Sequence, residues 1–306
     1  MGKRDISLRI KSTRQTRKIT KAMYLISASK FQKAKVMLDN VRPYYNKIQV
    51  TMGDILKHSK EATSHYFEKM HEVKGDRKET IIIITGDKGL CGAYNHNVIK
   101  KAEEVLKKET ANVMVVGEIG RKYFIDKGYN VDVEFLYTAQ NPTTSAAGEI
   151  TDLILNAYNM GLTDDVYVIY TEMQGLIQNV KTLKILPLDI ENFIDESKIT
   201  EEENKTEITE DENIKKSNEG LYDSDMIYDP SPTAVFDILV PEYIKGLIYS
   251  VLVQAFASEN FSRMVAMDGA TTNADKMISK LTLQYNRLRQ ASITQEISEI
   301  IAGASV

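Results

Sequence analysis

The residues best placed to do chemistry follow the β-branched run TIIIIT (Thr80 to Thr85), in the loop GDKGLCGAYN. Glycines after a strand let backbone N–H groups approach an anion, so a phosphate is the ligand such a loop would take. The spacing fits neither phosphate template. There is no GxxxxGKS/T and no GxGxxG, and Lys88 precedes the second glycine instead of opening a helix beside Ser or Thr. A tight strand-to-helix connection is the better reading. Cys91 in this loop could be a nucleophile, but only His96 lies near it in sequence, so a buried small apolar role suits it better. As the single cysteine it excludes an internal disulfide framework and a multi-cysteine zinc site. His58, His65 and His71 are spaced seven and six apart, so no two face one another as HExxH ligands would, and no metal is assigned.

Charge is distributed very unevenly along a chain whose net charge is only −4. Residues 1–35 hold eleven Lys or Arg and one acid, Asp5, whereas residues 195–225 hold twelve acids and four lysines. The basic stretch KSTRQTRKITKAM could meet nucleic acid by charge. It lacks interleaved aromatics and a known binding module, which favours a cationic helix face meeting an acidic protein surface, and no nucleic-acid partner is assigned. The acid pairs of the second stretch solvate more readily than they catalyse.

Two long helices frame the chain, and the basic stretch lies in the first of them. From about Ile6 to Ser59, Ala34, Leu38, Val41, Tyr45, Ile48, Met52 and Ile55 follow a 4-3 spacing, the repeat of a coiled coil, with Pro43 off the seam. From Ser231, a plausible cap, to Val306 the chain again predicts one helix, with Leu239, Tyr243, Leu247, Val251, Ala255, Met267, Ala270, Ala274, Met277, Leu281, Tyr285 and Leu288 at helical spacing. At about 1.5 Å of rise per residue it would reach on the order of 110 Å. Such a helix needs a companion, and the N-terminal helix supplies one.

Between them strands alternate with helices: strands at 80–85, 113–116, 131–136, 166–170 and 182–186, and helices at 97–108, 121–127 and 144–160. The expected fold class is α/β, a long antiparallel coiled coil of N- and C-terminal helices with an inserted Rossmann-like α/β domain on a mostly parallel sheet. The expected domains are the N-terminal coiled-coil helix (1–59), a polar linker (60–78), the α/β domain (79–190), an acidic flexible insert (191–228) and the C-terminal coiled-coil helix (229–306). The last helix is longer by about twenty residues, so its end should project on the order of 30 Å beyond the pair. That end carries Ile293, Ile297, Ile300 and Ile301, which require a partner from another protein. No run approaches eighteen apolar residues; Leu247 to Ala257 comes nearest and is followed by Glu259, so no membrane span is expected. The N-terminus lacks an apolar signal region, and a bacterial cytosolic setting is the simplest reading.

The segment SENFSRMVAMDGATTNADKMISKLTLQYNRLRQASITQEISEIIAGASV closely resembles the C-terminal signature of gamma subunits of F-type ATP synthases. TRKITKAMYLISASKFQKA, GDKGLCGAYN, LKILPL and YDPSPTAVFDILVPEYI match the same family in the same order, so the resemblance covers nearly the whole chain. It implies a rotor shaft that turns inside a hexamer of three alpha and three beta subunits and couples ion flow through the membrane c-ring to ATP synthesis or hydrolysis. The implied partners are those subunits, the epsilon subunit and the c-ring, at the cytoplasmic face of the bacterial membrane. No catalytic site, metal or cofactor is implied in this chain, since Mg-ATP and ADP belong to the alpha and beta subunits. By the resemblance, Lys18, Ile19, Lys21 and Met23 lie where the shaft meets the moving beta domains. Arg289, Gln290, Thr294, Glu296 and Glu299 fall where the shaft engages the catch region, with Glu259 and Arg263 as further coupling contacts. Ile293, Ile297, Ile300 and Ile301 form an apolar bearing tip. The acidic insert stands where chloroplast gamma subunits carry a regulatory loop with a cysteine pair, but it holds no cysteine, which excludes a thiol switch.

Two readings of other classes stand beside this one. An α/β nucleotide-dependent enzyme with a helical dimerisation arm predicts nucleotide binding by the isolated chain, and a nucleic-acid-binding coiled coil predicts salt-sensitive binding through residues 3–35.

Overall fold

The computed structural model describes residues 2–58, 64–67, 77–106, 111–135, 138–194 and 231–304. Helix α1 spans Lys3–His58. It is followed by β1 (Glu79–Ile84), α2 (Tyr94–Val105), β2 (Ala111–Val116), α3 (Glu118–Asp126), β3 (Val131–Phe135) and α4 (Thr144–Asn159). Then come β4 (Asp165–Gln174), β5 (Ile177–Leu186), the short α5 (Glu191–Ile194) and α6 (Pro232–Ala304). Ser231 caps α6, its Oγ accepting from the Ala234 N–H at 3.2 Å, and Pro232 takes the first helical position, where a missing donor costs nothing. Most of the acidic insert, residues 195–230, lies outside the described residues, as do His71, Ser59, Lys108 and Leu136.

The chain divides into two compact units. The larger, residues 33–89 and 94–258, holds a five-stranded sheet in the order β3-β2-β1-β4-β5. β1 to β4 are parallel and β5 is antiparallel to β4. β1 lies in the middle because its isoleucines can be buried on both faces. Ile82 and Ile84 point to a core shared with Ile48, Met52 and Ile55 of α1, Ile150 and Ile154 of α4, and Phe236, Ile244 and Leu252 of α6. Ile81 and Ile83 point the other way, against Val98 and Ala102 of α2 and Phe124 of α3. The sheet is therefore the middle of three layers in this unit.

Two places in this unit are set by close backbone approach. A Cβ on Gly53 would stand 2.3 Å from the Phe193 carbonyl oxygen, so α1 can pass over α5 only as glycine. Gly117 adopts φ +99° with the Thr85 carbonyl 2.3 Å from where its Cβ would be. Around it the head of α3 is closed by the end of β1. The Glu118 N–H donates to Asp87 Oδ1 (3.1 Å), the Ile119 N–H to the Gly86 carbonyl (3.2 Å) and the Gly120 N–H to Thr85 Oγ1 (3.0 Å). Three amides that a helix start leaves without partners are thus satisfied by three successive residues.

The sequence reading differs from the fold in the last two strands, in the linker and at the heads of α2 and α3, which each begin three residues before the expected 97 and 121. β4 and β5 are each ten residues long and form one hairpin through Gly175 (φ +62°), where only 166–170 and 182–186 read as strands. β5 is a sheet edge with few buried residues, and so lacks the apolar run that marked the others. Within the stretch read as a polar linker, Tyr66 and Phe67 are buried. The Leu188 N–H donates to the Tyr66 carbonyl (2.6 Å), and Phe67 packs edge-on against Phe193 and Phe236. These two rings anchor the chain between α1 and β1.

The smaller unit consists of residues 1–32, 90–93 and 259–306, chiefly the first half of α1 and the second half of α6. Cys91 belongs to it and is buried.

Candidate functional site

In the smaller unit the two helices run antiparallel. Phe31 packs at a tilt against Phe261, Thr20 Oγ1 meets Thr271 Oγ1 at 2.8 Å, Arg17 Nε pairs with Asp275 at 2.8 Å, and Thr13 Oγ1, which donates to the Arg9 carbonyl at 2.8 Å, lies 3.8 Å from Met277 Sδ. Ile6 and Ile10 close the pairing on Leu281 and Tyr285. Steps of seven along α1 give Ile6, Thr13, Thr20 and Ser27, the same heptad that reaches Ala34 and Ile48 lower down. Hydroxyl side chains hold several of its places here. The facing line on α6 is Met267, Thr271, Ala274 and Leu281, all buried, whereas Met277 and Leu288 are exposed at 46% and 39%. Met277 and Leu288 thus lie off the buried seam to which helical spacing had assigned them.

The outside of this pair is where the expected coupling residues fall. Lys18 and Lys21 are exposed, Ile19 is 60% exposed, and Met23 is half-buried. Lys21 Nζ lies 5.1 Å from the centre of the Tyr24 ring, which holds one cation against the helix. Leu25 and Ile26, each 57% exposed, join Ile19 on the outside. Sequence reasoning singles out Ile19 but not Leu25 or Ile26, because this second apolar line shares the period of the seam and is offset from it. The seven-residue step from Ile19 to Ile26 was the available signal.

Beyond Tyr285 α6 continues to Ala304, about 28 Å of helix with no companion among the described residues. Arg289, Gln290, Thr294, Glu296 and Glu299 are all exposed along it. Their short-range bonds stay within the helix: Thr294 Oγ1 donates to the Gln290 carbonyl (2.9 Å), Ser292 Oγ to Glu296 (3.1 Å) and Gln295 Nε2 to Glu299 (3.0 Å). Ile293, Ile297, Ile300 and Ile301 stand out at 46%, 51%, 70% and 63% exposure. Spaced four, three and one apart, they make one apolar line down a bare helix.

Glu259 and Arg263 are placed differently. They are paired with each other across one turn of α6, and their side chains are 5% and 12% exposed. The two residues are brought together with one another inside the protein.

An antiparallel helical pair that shows apolar side chains on its outside and runs on as one helix with no cover among the described residues defines a helical shaft. The chain belongs to the ATP synthase family and, within it, to the gamma chains. A family model described as ATP synthase matches residues 2–306. An ATP synthase gamma chain of Caldanaerobacter subterraneus subsp. tengcongensis is 64% identical over 307 residues, covering 100% of both chains. Another, of Ruminiclostridium cellulolyticum, is 47% identical and covers 99% of this chain and 97% of the relative. Among solved structures, a chain of the Euglena gracilis mitochondrial ATP synthase (OSCP/F1/c-ring, rotational state 3) shares the fold, with a TM-score of 0.64 at 17% identity over 99% of this chain and 93% of that one. Among the described residues no helix is long and apolar enough to cross a membrane.

Proposed function

We propose that this chain is the rotating central shaft of a bacterial ATP synthase, turning inside a ring of three alpha and three beta subunits. It couples ion passage through the c-ring to catalysis on the beta subunits. The chain holds no catalytic centre of its own; nucleotide and magnesium are bound by the alpha and beta subunits. It also meets the epsilon subunit, and works as a peripheral protein on the cytoplasmic face of the membrane. The observation that carries this reading is the bare end of α6, with Ile293, Ile297, Ile300 and Ile301 outward on an uncompanioned helix. An apolar tip in an apolar sleeve turns with no deep angular lock, whereas a ring of ion pairs would hold the shaft at preferred angles.

Lys18, Ile19, Lys21 and Met23 meet the moving beta domains, and Arg289, Gln290, Thr294, Glu296 and Glu299 engage the ring near its catch in particular dwell states. Glu259 and Arg263 act indirectly, since each already occupies the other. Residues 195–225 take no part in regulating rotation. Their deletion should leave ATP hydrolysis and synthesis rates unchanged, and a change in one direction alone would make the loop a charge-based brake.

The deciding experiment is reconstitution with alpha and beta subunits. The expected result is ATPase activity that depends on adding this chain, with none from the chain alone. ATPase from the isolated chain, or no stimulation of the assembled subunits, would overturn the reading.

A further inference from the structure

The seam between the paired halves of α1 and α6 contains a hydroxyl pair that nothing above uses. Thr20 and Thr271 are each 9% exposed and their Oγ1 atoms are 2.8 Å apart. Each also reaches a carbonyl of its own helix, Thr20 that of Arg17 at 3.1 Å and Thr271 that of Met267 at 2.7 Å. A hydroxyl has one proton, so the two hydroxyls cannot make all three bonds as donors. The shorter distance assigns the Thr271 proton to the Met267 carbonyl, and Thr20 then donates across the seam to Thr271.

What surrounds the pair gives this bond its weight. Toward one end of the unit lie Thr13 and Ala274, and toward the other Ser27, all too small to act as deep knobs against sliding or twisting. Larger apolar side chains flank this stretch: Met267 one turn from Thr271, Ile6 and Ile10 on Leu281, and Phe31 against Phe261. Arg17 and Asp275 also bridge the helices, but both are half exposed, and such pairs restrain weakly. A single buried polar contact among apolar and small seam residues is a known means of fixing helical register.

We propose that Thr20 and Thr271 are positioning residues: their hydrogen bond fixes the rotational register of the two helices and so the direction in which Lys18, Ile19 and Lys21 face under load. This rests on the shaft reading given above. The pair is also suited to a clean test, because each hydroxyl has a carbonyl of its own to fall back on. In Thr271→Val, Thr20 turns its proton to Arg17, and in Thr20→Val, Thr271 keeps its bond to Met267. Neither substitution strands a buried donor, and valine keeps the threonine shape.

The test uses the complex reconstituted with alpha and beta subunits, stalled with nucleotide, with the angular fluctuation of a probe on the shaft recorded. Thr20→Val, Thr271→Val and the double variant are expected to assemble and to resist heat like the unsubstituted complex, yet to widen the angular variance on the order of twofold. The three should widen it equally, since all remove the same bond. Thr20→Ser and Thr271→Ser, which keep the hydroxyl, should restore the original width. Unchanged variance in the valine variants overturns the proposal. So does a widening that serine fails to rescue or that accompanies lost heat stability, because either points to packing. Failure of the unsubstituted chain to stimulate ATPase would overturn the shaft reading itself, and that result precedes any comparison of variants.

Discussion

Glu259 accepts a hydrogen bond from Arg263, one turn along the same helix, and the two charges are almost wholly inside the protein. A paired buried charge tolerates the loss of its companion poorly, because the survivor keeps its desolvation cost and loses its attraction. Glu259→Ala is therefore expected to destabilise the folded chain by about 3–5 kcal/mol. Joint replacement by Leu and Met should recover most of that, as chemical denaturation of the two variants would reveal. Equal loss in both would mean that packing, and not charge pairing, is what the site contributes.

Arg289 presents the opposite case, exposed on a helix with no companion. Arg289→Ala should leave stability within about 0.5 kcal/mol of the original. A charge-assisted bond to a partner acid is worth about 1.5–3 kcal/mol, and its loss should lower ATP-driven torque and turnover of the reconstituted complex. Normal torque and turnover would remove Arg289 from the coupling set.

Gly53 tests how closely α1 passes over α5. Gly53→Ala would place a Cβ 2.3 Å from a backbone oxygen that cannot turn aside, and is expected to cost about 3 kcal/mol. Gly89→Ala, with nothing within 4 Å of its Cβ, is the matched control and should be nearly neutral in a thermal unfolding scan.

Burial, with the carboxylates of Asp165 and Asp164 nearby, pushes the Tyr158 phenol above its ordinary value near 10. The folded state thus holds this proton more tightly than the unfolded state. Its contribution is complete below about pH 10 and is lost as pH rises toward the folded value. Tyr158→Phe should flatten the alkaline fall in stability. It should also cost about 1 kcal/mol at neutral pH, since the phenol donates to the His65 carbonyl at 3.2 Å. Denaturation midpoints followed on both sides of pH 10 would check the sign.

Much of this fold could be read from residue types because its elements obey simple periods. The 4-3 spacing from Ala34 to Ile55 and the run of isoleucines in β1 both correspond to buried faces. The seam above Ala34 was not legible. Thr13, Thr20 and Ser27 keep the same seven-residue step, but a hydroxyl carries no hydrophobic signal, and only its partner across the seam makes it interior. Phe67 was hidden for a related reason, being, with Tyr66, one of two aromatics among Lys, Glu and His, and packed on rings more than a hundred positions away. The bare tip was legible because it needed only a comparison of two helix lengths. Glu259 and Arg263 show what sequence could not give, since spacing alone does not distinguish a charge that faces outward from one that has folded onto its neighbour.

The head of α3 has one more consequence. Where a sheet of this kind commonly offers free amides to a phosphate, Thr85, Gly86 and Asp87 have filled the place with the chain's own oxygens, one of them a carboxylate. A nucleotide arriving there would have to evict an anion already seated, against like charge. The loop whose glycines suggest a phosphate cradle is instead a closed joint, in which the chain's own oxygens lock the end of β1 to the head of α3.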